Sequence, residues 1–210
     1  MNNIAHTFLS RNYAIIFNNK SLSDLVIKCE DKEFYASKEI LGLHSPVFKN
    51  MFANEMSESL TNEVVIKDES ISSEDVYEML RFLYFGYSDR IDDLKETLLY
   101  LAEEYQIKEL KNICENYCIL DLNYKNAIHY LIVFDRCKSI NYKTKTLTYI
   151  AQNFHLVFQN SSPDFDRLKS ENSELLTELY SCFANTIEMC HKNVIPKPKY
   201  FEYLVYNYYK

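Results

Sequence analysis

The chain has 210 residues, enough for one full-sized domain of about 100–150 residues plus a smaller annex. Apolar residues make up 47% of it and charged residues 25%, and 18 Tyr with 13 Phe exclude a disordered polymer, which could not hold so much aromatic surface in water. A formal net charge of −7 without a basic cluster excludes general nucleic-acid binding, and no apolar run reaches the roughly 18 residues of a membrane span.

Leu9, Tyr13, Ile16 and Phe17 recur at helical spacing before the polar break Asn18-Asn19-Lys20-Ser21, which predicts a short amphipathic helix. Asp24–Cys29 reads as a strand, Glu30-Asp31-Lys32 as a turn and Glu33–Ala36 as the returning strand. Ser45-Pro46 is a helix start: the hydroxyl caps free amides, and proline at the first helical position loses no hydrogen bond. Val47, Phe48, Met51 and Phe52 form the stripe of that helix. After the polar stretch Ala53–Asn62, Val64-Val65-Ile66 predicts a short edge strand.

Ser72 or Ser73 caps the next helix, in which Val76, Met79, Leu80, Leu83 and Tyr84 follow the helical period until Gly86 stops it. Leu94, Leu98, Leu101, Ala102 and Tyr105 mark another helix, and Leu110, Ile113, Cys114 and Tyr117 a third. From Asp121 only helices follow. Ala127, Ile128, Leu131 and Ile132 line one, and Leu147, Ile150, Ala151, Phe154 and Phe158 line its successor, with a short connection that predicts an antiparallel pair. A loop at Asn160–Pro163 precedes Phe165–Leu168 and a helix near Glu174–Phe183, and Pro196-Lys197-Pro198 ends the helical pattern.

The residues offer little for chemistry. Two glycines, Gly42 and Gly86, cannot build a phosphate cradle. The six cysteines lack the dense spacing of a disulfide scaffold, so free thiols are expected. Cys114 and Cys118 could share a metal with Cys137 or His129, but Cys114 lies in an apolar stripe and a buried structural role is the favoured reading; Cys182, Cys190 and His191 are too loosely spaced for zinc. No orienting base and third group surround a nucleophile, and acidic neighbours such as Asp92-Asp93 and Glu103-Glu104 decorate solvated faces. The expectation is a protein that is not an enzyme, with no cofactor and no metal. Without a leader-like start, it is expected in the cytoplasm or nucleus.

SDLVI, FYASKEIL, SPVFKNMF and FLYFGY, taken as an ordered set across about Asn18–Leu120, resemble a BTB/POZ domain. They are most similar to the C-terminal half of speckle-type POZ proteins, whose BTB domain is followed by a short helical extension, the 3-box. Here YKNAIHYLIVFDRCKSINYKTKTLTYIAQNFH resembles that BACK-like extension. The resemblance implies an α+β fold, a small sheet flanked by helices over residues 1–120, then an all-α extension at 121–195 and an aromatic tail at 196–210.

It further implies homodimers, or pairs with other BTB proteins, and binding of the cullin-3 N-terminal domain as the substrate adaptor of a ubiquitin ligase. The family's recruitment pattern, a hydrophobic residue, any residue, then glutamate, matches Met56-Ser57-Glu58, so the implied cullin-binding residues are Met56, Glu58, Phe52 and Tyr84, with Leu120 onward widening the contact. The implied dimer face is Leu9, Tyr13, Ile16 and Ile40. Ser37 and Lys38 stand where the family usually has histidine and a basic residue, and Leu43-His44 where it has a small-plus-basic pair. No MATH, Kelch or zinc-finger region accompanies these motifs, which leaves the substrate protein unspecified and keeps a second reading open: a dimerisation scaffold or competitor without ligase activity. Phe165, Leu168, Tyr200, Phe201, Tyr203, Tyr206, Tyr208 and Tyr209, all but Leu168 aromatic, form a further candidate partner surface, with core packing or a flexible tail an equal reading.

Overall fold

The computed structural model describes residues 11–53, 61–160 and 163–192, and the chain divides into two compact units, Met1–Tyr117 and Cys118–Lys210. In the first, helix α1 (11–16) ends at the polar break: Phe17 N–H donates to the Tyr13 carbonyl at 2.8 Å and Asn18 takes a left-handed φ of 50°. Asparagine tolerates that region better than other side chains. A 3-10 turn, Lys20–Leu22, follows, with the Asn19 side chain accepting from the Ser21 N–H.

Strands β1 (Leu25–Cys29) and β2 (Lys32–Ala36) form the expected hairpin, pairing from Leu25 opposite Ala36 to Cys29 opposite Lys32. Alternation sends Leu25, Ile27 and Cys29 into the core. Strand β3 (Glu63–Ile66) is the expected edge, and it lies parallel to β1, giving the order β2-β1-β3.

Helices α2 (Lys38–His44) and α3 (Pro46–Ala53) meet at Ser45, and α4 spans Ser73–Phe85. The ends of α4 are written in its sequence. The Ser72 hydroxyl and the Asp75 carboxylate make a reciprocal capping box, and Gly86 closes the helix at φ 76°. Helices α5 (Ile91–Glu104) and α6 (Lys108–Leu120) follow. Phe48, Val76, Met79, Leu80, Leu98, Leu101 and Leu110 are all buried.

The second unit is helical: α7 (Ala127–Arg136), α8 (Ile140–Gln152), α9 (Phe154–Gln159), α10 (Pro163–Glu171) and α11 (Ser173–His191). One apolar cluster, including Ile128, Leu131, Ile150, Leu168, Leu175 and Leu179, joins them. The single helix expected over Leu147–Phe158 is two. It breaks at Asn153, whose backbone leaves the helical region while its backbone N–H, at 3.0 Å, and its side-chain amide, at 2.9 Å, both donate to the Tyr149 carbonyl and close the first helix there. Asn172 caps α11 by accepting from Leu175 N–H at 3.0 Å. Among the described residues no helix is long and apolar enough to cross a membrane.

Candidate functional site: a docking surface on the first unit

The site begins with Ser45, which ends one helix and starts the next. Its backbone N–H closes α2 on the Leu41 carbonyl, while its hydroxyl accepts from Phe48 N–H at 3.1 Å and donates to the Tyr105 carbonyl at 2.5 Å. Ser45 is fully buried, and its oxygen is committed to structure rather than to nucleophilic chemistry. Folding the chain back at Ser45 brings Gly42 of α2 against Lys49 of α3 and leaves a surface groove of about 440 Å³ between the helices, lined by Lys38, Glu39, Gly42, Leu43, Lys49, Phe52 and Ala53.

Behind the groove stands a ladder of three rings. Tyr105 stacks on Phe48 at 4.4 Å and Phe48 on Phe52 at 5.8 Å, each pair 12° from parallel. Tyr105 and Phe48 are buried, and burial holds the Tyr105 phenol well above its ordinary value. Phe52, half-buried, carries the ladder to the surface, where Leu43 is 77% exposed. An aromatic anchor backed by a rigid stack and flanked by an exposed leucine is the composition of a binding hot spot. Lys38, Lys49 and Glu39 give it a charged rim.

Tyr84, expected beside Phe52 as a partner contact, is placed in the core instead. It is 5% exposed, its hydroxyl accepts from the Ser37 N–H at 2.8 Å, and burial is the main cause of its raised pKa. Its ring lies under Phe17 at 5.3 Å and Tyr13 at 6.5 Å, so the chain leaving α1 covers it. Phe17 also meets Tyr77 and Phe85, each at 5.3 Å. Tyr84 therefore supports the start of α2 from within.

Of the expected dimer face, Tyr13 is 36% exposed, with its neighbour Ile15 at 61%, while Ile16 and Ile40 are half-buried. Leu9 lies outside the described residues, as do Met56 and Glu58 and the tyrosines of the tail from Tyr200. The chain enters the Met56–Glu58 stretch from α3 and the groove, and rejoins the described fold at Thr61 and Asn62 before β3.

Cys29, Cys114, Cys118, Cys137 and Cys190 are buried, and burial pushes the thiols of Cys29 and half-buried Cys182 up, away from the reactive thiolate. They fill the core as small side chains, and the Cys29 thiol also donates to the Ile71 carbonyl. His129 lies 3.7 Å from Asp164. Among the described residues no three His, Cys, Asp or Glu side chains converge as metal ligands. Of the groove's lining the sequence reading singled out Phe52 alone; the exposed Leu43 and Lys49 were missed because neither stands out by period.

Residues 15–122, the sheet, the groove and helices α2 to α6, match the BTB/POZ domain family, and the chain belongs to that family. It is a protein–protein interaction module, of a class built for self-association and for binding other proteins. The chain is also similar to Protein maternal effect lethal 26 of Caenorhabditis elegans, at 28% identity over 175 residues. The alignment takes in 82% of this chain and 43% of that protein, so the chain spans less than half of its relative's length.

Proposed function

We propose that this protein is a dimeric substrate adaptor that delivers a bound protein to a cullin-3 ubiquitin ligase in the cytoplasm or nucleus. The observation that carries the reading is the α2–α3 groove with half-buried Phe52 at its edge, directly ahead of the stretch holding Met56 and Glu58. The division of labour follows from side-chain chemistry. Met56, flexible and polarizable, fills an apolar pocket on the cullin N-terminal domain, Phe52 and Leu43 extend the dry contact, and Glu58 fixes register by pairing with a cation. Tyr13, Ile16, Ile40 and Leu9 form the two-fold face. A dimer presents two docking surfaces, which raises the effective concentration of a second cullin or of a bivalent substrate.

Titrating the full chain with the cullin-3 N-terminal domain tests this. Met56→Ala combined with Glu58→Lys is expected to weaken binding by roughly tenfold or more while leaving the dimer intact. Undiminished affinity in that variant, or no binding by the parent chain, overturns the reading. The exposure of Tyr13 and Ile15 favours self-association on its own account and supports a second reading, a pairing scaffold without ligase activity. Recovery of BTB partners without cullin in a pull-down selects it.

A further inference from the structure

We propose that Lys38 is a positioning residue for the docking stretch, a clamp joining the point where that stretch leaves α3 to the point where it re-enters the sheet. The inference rests on the reading of Met56 and Glu58 as partner contacts. Lys38 Nζ donates to Asn62 Oδ1 at 2.5 Å and lies 5.6 Å from the centre of the Phe52 ring, so one ammonium group touches residues on both sides of 54–60.

Each member of the trio is fastened separately to a rigid element. Lys38 opens α2, and its N–H donates to Asp24 Oδ1 at 2.9 Å. Phe52 stacks on buried Phe48. Asn62 holds a left-handed φ of 57°, and its carbonyl accepts from Val26 N–H at 2.9 Å, which continues the ladder beside β1. The cation ties these three anchors together. A cation over an aromatic face and a charge-assisted hydrogen bond are each modest at a surface. Their joint effect is to hold Phe52 and Asn62, described residues on either side of 54–60, in one arrangement, and contacts arranged before binding lower its cost.

Lys38→Met keeps the aliphatic stem and removes the charge. The expected result is about fivefold weaker binding to the cullin-3 N-terminal domain with an unchanged melting temperature, and Lys38→Arg should restore affinity to within about twofold. Asn62→Gly keeps the left-handed backbone and deletes the acceptor, so it should weaken binding similarly, and the double variant should bind no worse than either single one. A second readout needs no partner: exchange of the Val26 amide in the isolated chain should quicken in both single variants. Unchanged Val26 exchange in Lys38→Met overturns the clamp, and so does quickened exchange with undiminished affinity, or additive losses in the double variant. Quickened exchange in a chain whose parent form does not bind cullin sustains the clamp and rejects the cullin reading instead.

Discussion

The two units hold their shape in different ways. In the first, directional polar links join residues far apart in sequence: Ser45 to Tyr105, Ser37 to Tyr84, Ser73 to Glu30, and the Cys29 thiol to the Ile71 carbonyl at 3.6 Å. In the second, many side-chain bonds are local, such as those of Thr144, Thr146 and Thr148 to carbonyls four residues back, and the helices are joined by an apolar cluster beside a polar hub. At that hub Lys143 reaches both Asp135 and Glu178, and Asn172 donates to Asp135. A directional link fixes one geometry, whereas apolar packing tolerates several of similar volume. The α2–α3 groove sits on the unit whose geometry is pinned.

Four measurements test the contrast between the units, each read by residue-resolved hydrogen exchange because two units need not unfold together. Ser45→Ala removes a helix cap and a buried donor at once and should cost about 2–3 kcal/mol in the first unit, leaving the second untouched. A loss below about 1 kcal/mol would erase the distinction between the units. Lys143→Met strips the hub of its cation and should cost about 1 kcal/mol in the second unit, since its partners are partly solvated.

Thr146→Val deletes a buried but purely local bond and should change stability by no more than about 0.5 kcal/mol. A larger loss would show that the second unit also depends on directional bonds. The smallest effect is a pH dependence. The Ser73 backbone N–H holds the Glu30 carboxyl below its ordinary value. A group whose pKa is lower folded than unfolded stabilises the fold above the unfolded value, and that contribution is lost as pH falls through the folded value. Glu30→Gln should therefore flatten the acid limb of the first unit's stability curve, and an unchanged limb would show that the Glu30–Ser73 link is idle.

The sequence reading succeeded where the cause of structure is local. The serine cap, offered as Ser72 or Ser73 and resolved to Ser72, the Gly86 stop and the period of α4 are local signals, and the hairpin is announced by alternation and a polar turn. It failed where the cause is distant. Nothing in the helical period of Tyr84 says that Phe17 will cover it, and only the fold brings Ser45 to Tyr105. The Asn153 break was missed for another reason: Leu147, Ile150, Ala151, Phe154 and Phe158 keep helical spacing across it, so the apolar pattern hides the change of backbone at Asn153. For the site, the match to the family's recruitment pattern directed attention to Phe52, while the groove beside it and the reach of Lys38 became visible only once α2 and α3 were laid together.

The stacked rings Tyr105, Phe48 and Phe52 also bear on how such a surface evolves. The inner two are sealed, so their replacement is filtered by stability alone, while the outermost is free enough to be tuned by whatever it meets. Under the docking role proposed for Phe52, exchange of that one ring for leucine, methionine or tyrosine would alter partner preference with little risk to the scaffold. Lineages can thus drift from one ligand to another through a single exposed position, without first passing through an unfolded ancestor.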